Sequence, residues 1–198
     1  MKKTTIAIVK YNAGNICSVQ NALLRLGCEP LVTDDKHLLN TADKVIFPGV
    51  GEAATAMKYL HEHHLDDVIC NLKQPVLGIC LGLQLMCKHS EEGNVDGLSI
   101  FDTQVKRFPA SSTHKIPHIG WNAIGQLHSP LFKGVAENSY VYYVHSYCAA
   151  VCAQTIATTD YIHPLSAALH KDNFYAVQFH PEKSADIGET LLKNFLAL

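Results

Sequence analysis

Apolar residues fall in two rhythms along this chain. Short unbroken runs, such as Ile6-Ala7-Ile8-Val9, suit strands buried on both faces, whereas the stretches between them repeat apolar positions every three or four residues, as helices do. The runs predict strands over 6–9, 30–33, 44–47 and 75–79. The longer stretches predict helices over 15–26, closed by Gly27, and over 52–61, 65–72 and 82–88. Strands alternating with helices make parallel βα units. Beyond residue 98 the pattern changes to strands at 103–108, 140–146, 154–158, 166–170 and 174–178, followed by a closing helix at 187–197. That half is expected to be antiparallel or mixed sheet. No repeat, low-complexity tract or linker interrupts the chain, so residues 1–198 are expected to form one α/β domain, with a polar, mobile loop at 109–115.

Composition narrows the class. With 198 residues, 47% hydrophobic and 17% charged, the chain can bury one sizeable core. A formal net charge of −2 supplies no basic field, which argues against nucleic acid or a membrane surface as partner. The opening Met1-Lys2-Lys3 precedes an apolar run that stops at Lys10 without a small-residue cleavage site, so it reads as a first core strand and not a leader. The seven cysteines are odd in number and lack paired C-x-x-C spacing. Neither a disulfide framework nor a zinc site is expected, and a reducing, cytoplasmic setting follows. His61-Glu62-His63-His64 has no third ligand in sequence reach, so no metal or other cofactor is expected.

Chemistry concentrates in two segments. Pro75 to Cys87 reads PVLGICLGLQLMC, a short apolar strand running through Gly78-Ile79-Cys80-Leu81-Gly82 into an apolar helix. This is the layout of a nucleophile elbow, where small residues two before and two after the nucleophile let the backbone reverse. The exposed atom would be the Cys80 sulfur, its thiolate favoured by the helix start, with the Leu81 amide placed to donate to an oxyanion. A buried structural cysteine is the alternative. The second segment, Phe174 to Glu182, reads FYAVQFHPE. Proline keeps His180 extended, so Glu182 two residues on is expected beside the imidazole, fixing its tautomer and stabilising its charged form. Cysteine, histidine and carboxylate together make a triad for nucleophilic catalysis.

These two motifs, in this order, resemble the class I (triad-type) glutamine amidotransferases. Within that family the chain is most similar to the glutaminase subunits of imidazole glycerol phosphate synthases. Four segments carry the likeness: Tyr11 to Asn15, Pro48 to Gly51, Pro117 to Asn122 and His180 to Ser184. Asn12 stands where the family pattern has Gly, a departure that touches only the geometry of that loop, since Asn also tolerates left-handed angles. The resemblance implies a three-layer α/β/α fold with a mixed, mainly parallel central sheet of the flavodoxin-like kind. It implies hydrolysis of glutamine to glutamate and ammonia by Cys80, His180 and Glu182, with Leu81, Val50 and Gly51 serving the oxyanion. Glutamine would be held by Gly51, Gln84, Glu92, His145, Ser146 and Tyr147. Ammonia would pass to a (β/α)₈-barrel synthase of histidine biosynthesis, held as a heterodimer partner through Asn15, His118, Trp121 and Lys183. A paralogous subunit feeding another synthase, such as one that amidinates a surface sugar, is the alternative. A non-catalytic interaction subunit fits poorly with an intact triad, and a thiol peptidase would lack the distal His-Pro-Glu strand.

Overall fold

The computed structural model describes residues 4–12 and 14–198; Met1, Lys2, Lys3 and Ala13 lie outside them. The first half is built from β1 (Ile6–Val9), α1 (Ile16–Arg25), β2 (Leu31–Thr33), α2 (Lys36–Thr41), β3 (Lys44–Gly49), α3 (Ala53–Glu62), α4 (Leu65–Asn71), β4 (Val76–Cys80) and α5 (Leu81–Leu85). The second half adds β5 (Cys87–Ser90), β6 (Val95–Asp96), β7 (Phe101–Arg107), β8 (His118–Ile124), β9 (Ser139–His145), β10 (Tyr147–Ala149), β11 (Thr155–Asp160), β12 (Pro164–Lys171), β13 (Phe174–Val177) and α6 (Ala185–Ala197).

A seven-stranded sheet in the order β11-β12-β13-β4-β3-β1-β2 forms the middle layer. Its five strands from β13 to β2 run parallel, and β12 and β11 are added antiparallel at one edge. The apolar runs are continuous because both faces of these strands are covered. Ile6, Ile8, Ile46, Leu77 and Ile79 pack on one face with Val19 and Leu23 of α1 and with Leu191, Leu192 and Phe195 of α6. Ala7, Val9, Val45, Phe47 and Val76 pack on the other with Met57 and Leu60 of α3 and Leu65 and Ile69 of α4. The expected three-layer α/β/α architecture with a mixed, mainly parallel sheet is therefore present. Each fully buried Leu, Ile or Phe side chain contributes about 1.5–3 kcal/mol by leaving water.

Two smaller units cover the end of the sheet where the parallel strands finish. One is a four-stranded sheet, β10-β7-β5-β6; the other is the antiparallel ribbon β8-β9. Several of these elements differ from expectation. The helix expected over 82–88 stops after five residues, because Leu98 N–H and Phe101 N–H bond to the Leu85 and Met86 carbonyls and draw the chain into β5. Helix α2 escapes the periodicity because it is six residues long and buries only Leu39. Its start is nevertheless marked by Asp35, whose carboxylate accepts from Leu38 N–H at 3.0 Å. Among the described residues no helix is long and apolar enough to cross a membrane.

Candidate active site

Strand β4 ends at Cys80, whose φ of 54° and ψ of −107° lie outside the regions L-residues normally occupy. Such strain costs on the order of 1–3 kcal/mol and persists only where the surroundings over-determine it. The elbow glycines supply that constraint. A Cβ on Gly82 would lie 1.9 Å from the Phe47 carbonyl oxygen, and one on Gly78 would meet the backbone of Gly82 and Leu83 at 3.1 Å. The reversal thus works only with bare backbone at both positions, as the sequence pattern requires. Helix α5 is too short to carry a substantial dipole, so the sulfur depends on local side chains and not on the helix field.

His180 follows β13 and is fully buried. Its Nδ1 lies 2.7 Å from Glu182 Oε1, and both side chains are shielded from solvent. A carboxylate only accepts, so Nδ1 carries the proton and Nε2 is left for the sulfur. Nε2 makes no hydrogen bond among the described residues. Burial pushes the imidazole's pKa down, but the Cys80 sulfur and the Glu182 carboxylate together overcome this and hold it up at about 10. The route to this pairing differs from the expected strand alternation: Pro181–Lys183 forms a 3-10 turn that swings Glu182 back onto the ring. Asn15 also differs. Its side chain points inward and donates from Nδ2 to the same Glu182 oxygen, a contact the sequence did not suggest for a residue expected at or near the partner. Its backbone is left-handed, with φ 70°, a conformation Asn tolerates. Ser184 fixes the assembly to the ribbon, its hydroxyl donating to the His180 carbonyl at 2.7 Å and accepting from Tyr142 N–H at 2.9 Å.

Beside Cys80 opens a cavity of about 290 Å³. Gly51, Gln84, Glu92, His145, Ser146 and Tyr147, the six residues expected to contact a substrate, all line it, as do Val50 and Leu81. Val144 and Pro117 complete the wall and were not anticipated as contacts. The segment Pro48 to Gly51 leaves β3 beside the nucleophile, since Gly49 pairs with Cys80 across β3 and β4. Gly51 has φ 125°, accessible only to glycine, and Gly14 N–H reaches the Val50 carbonyl at 3.4 Å. The Tyr11 hydroxyl is packed so tightly on Gly49 that a Cβ there would sit 2.1 Å away. Burial, and secondarily Cys80, pushes the Tyr11 pKa upward, so it remains a neutral phenol. Glu92 accepts from Ala53 N–H at 3.0 Å; burial raises its pKa, partly offset by that bond.

A buried polar chain backs the cavity. His145 Nδ1 lies 2.8 Å from the Tyr147 carbonyl, and its Nε2 lies 3.0 Å from His118 Nδ1. Burial drives both imidazole pKa values down, to about 3 and about 4, so both rings are neutral. His118 is therefore an interior residue, 3% exposed and stacked on Tyr161 at 3.8 Å. Trp121 and Lys183, by contrast, are exposed. Gln178, which sequence reasoning passed over, is wholly buried between Gln84 and Cys80. Its signal was a glutamine inside an otherwise apolar strand. Among the described residues, no group of His, Cys, Asp and Glu could hold a metal ion.

A strained cysteine at a strand end, a buried His-Glu pair beside it and an adjoining polar cavity are the parts of an acyl-transfer site. Residues 8–198 match the family "Glutamine amidotransferase class-I". The chain belongs to that family. It is 63% identical over 194 residues to the imidazole glycerol phosphate synthase subunit HisH of Bacteroides thetaiotaomicron, covering 98% of this chain and 99% of the relative. It is 44% identical to the protein of that name from Shewanella loihica, covering 100% and 92%. Among solved structures it is similar to a putative GMP synthase subunit from Thermoplasma acidophilum, with TM-score 0.78 at 20% identity, covering 100% and 94%. A structure described as a glutamine amidotransferase gives TM-score 0.74 at 18% identity, covering 97% of each chain. The two structures support the class I amidotransferase fold.

Proposed function

We propose that this chain is the glutaminase subunit of an imidazole glycerol phosphate synthase. The observation that carries the reading is Cys80, His180 and Glu182 assembled beside a cavity lined by every residue expected to hold glutamine, in a chain 63% identical to a relative of that name. The Cys80 thiolate attacks the side-chain amide carbon of glutamine. The Leu81 amide and one from the Pro48 to Gly51 segment stabilise the oxyanion. His180 as imidazolium protonates the departing ammonia, then as neutral base takes a proton from the water that hydrolyses the γ-glutamyl thioester. Collapse of the second adduct expels the Cys80 thiolate, glutamate leaves, and the thiolate–imidazolium pair is restored.

Ammonia is largely protonated at neutral pH and then no longer nucleophilic, so productive use requires delivery in a closed passage. A (β/α)₈-barrel synthase fits as the partner, in a cytoplasmic heterodimer. The ribbon β8-β9 presents Ile119, Trp121 and Tyr140 to solvent at 60%, 51% and 60% exposure, and exposed apolar groups of this kind mark a contact surface. Glutamate release should be measured for wild type and Cys80→Ala, each with and without the barrel synthase and its nucleotide. The reading predicts Cys80-dependent release that rises with the partner. Release independent of Cys80, or silence of the wild type with that partner, contradicts it.

A further inference from the structure

The hydrogen-bond donors around Gln178 leave its side chain only one orientation. The Tyr147 carbonyl can only accept, so Gln84 must present its NH₂ group to it, at 2.9 Å. The same carbonyl receives His145 Nδ1 at 2.8 Å. Gln84 Nε2 then has a second N–H, which donates to Gln178 Oε1 at 3.1 Å. With its oxygen held by Gln84, Gln178 turns its own NH₂ to the Cys80 sulfur, 3.8 Å away. Its backbone is equally fixed, since its N–H donates to the Ala167 carbonyl at 2.8 Å. The side chain is inaccessible to solvent, so no water competes for the sulfur from that side.

We infer that Gln178 is a positioning residue for the nucleophile: its carboxamide N–H, oriented by Gln84, points at Cys80 and favours the thiolate over the thiol. This deepens the reading above and rests on Cys80 being the nucleophile. At 3.8 Å the contact is long for a neutral thiol, and charge on the sulfur would strengthen and shorten it, as charge does for other hydrogen bonds. Such a donor complements His180. The imidazolium must surrender its proton to ammonia during the reaction, whereas a carboxamide N–H does not titrate and keeps its hold throughout the cycle. Because Gln84 also lines the substrate cavity, the side chain that borders the substrate also orients the donor to the sulfur. A glutamine that merely fills the core would make the same contacts to Gln84 and Ala167 and have no influence on the sulfur.

The test uses Gln178→Met, which keeps length and removes the N–H, and Gln178→Glu, which retains an acceptor for Gln84 but sets a carboxylate against the sulfur. The rate of Cys80 alkylation by iodoacetamide is followed against pH, with the modified peptide identified by mass spectrometry to separate Cys80 from the other cysteines. The midpoint is expected to move up by about one pH unit in Gln178→Met, a tenfold loss of thiolate below it, and further in Gln178→Glu. Glutamine turnover should fall at least tenfold in kcat with little change in KM. Wild-type midpoints in both variants would overturn the inference, whatever happens to turnover. Alkylation needs no glutamine, so the outcome stands even if the chain proves to use another substrate. Should neither variant fold, the side-chain amide resonances of Gln178 in the wild type carry the test. Movement with the ionisation of Cys80 supports the contact, and indifference to it overturns it.

Discussion

Glu182 pairs with the nitrogen of His180 that faces away from the one left for the sulfur, and the proposed chemistry of Cys80 depends on it. Its carboxylate keeps a proton on Nδ1 when the ring is neutral and, with the sulfur, raises the imidazole pKa to about 10 against the pull of burial. Replacing it by Gln removes the charge and leaves an amide whose N–H can compete for Nδ1. We expect Glu182→Gln to lower kcat by on the order of 10²–10⁴ with little effect on KM, as measured by steady-state glutamate release. The change also has a signature in stability. A histidine whose folded pKa is raised stabilises the fold below its ordinary value of about 6.5, and that contribution fades as pH climbs towards about 10. Urea unfolding should therefore show wild type more stable than Glu182→Gln near pH 6, with the difference shrinking towards pH 10. Sequence reasoning singled out Cys80, His180 and Glu182, which the fold brings together, because each sits in a rigid local motif. It did not foresee that the Asn15 and His118 side chains turn inward, to Glu182 and to His145, since that turn is decided by tertiary packing and not by spacing.

At the scale of elements, the site exists because three parallel strands, β3, β4 and β13, finish together and deliver Gly49, Cys80 and His180 to one edge. The strand-helix junction after β4 is the least tolerant point. Gly82→Ala would drive a Cβ into the Phe47 carbonyl, which is backbone and cannot rotate away. We expect a cost of about 1–3 kcal/mol or more in denaturant unfolding, together with loss of turnover as β3 and α5 are forced apart. These parallel elements were legible because burial on both faces writes an uninterrupted apolar run. Strand β8 was not, for a physical reason. It turns Ile119 and Trp121 to solvent and His118 inward, the reverse of the alternation by which a half-buried strand is recognised. Strands β5 and β10 were missed because each is four residues or fewer and the apolar residues around them read equally well as helix.

For the whole molecule, that reversed ribbon is the proposed link between the glutamine-cleaving site and a partner. Its outer face is apolar, and its backbone at Tyr142 bonds to the Ser184 hydroxyl and to the His180 N–H. Trp121→Ala should leave the isolated chain within about 0.5 kcal/mol of wild-type stability, because the indole is half exposed. The same change should weaken association with the barrel synthase by about 2 kcal/mol or more, read by calorimetric titration, as expected for an aromatic anchor. An unchanged affinity would move the partner surface elsewhere. The central claim remains the covalent one, that Cys80 carries the γ-glutamyl group of glutamine. Rapid acid quench of the enzyme turning over glutamine, followed by peptide mass spectrometry, tests it directly. A γ-glutamyl adduct on Cys80, absent from Cys80→Ala, is the predicted result; an adduct on any of the other six cysteines, or glutamate formed with none at Cys80, would contradict the account.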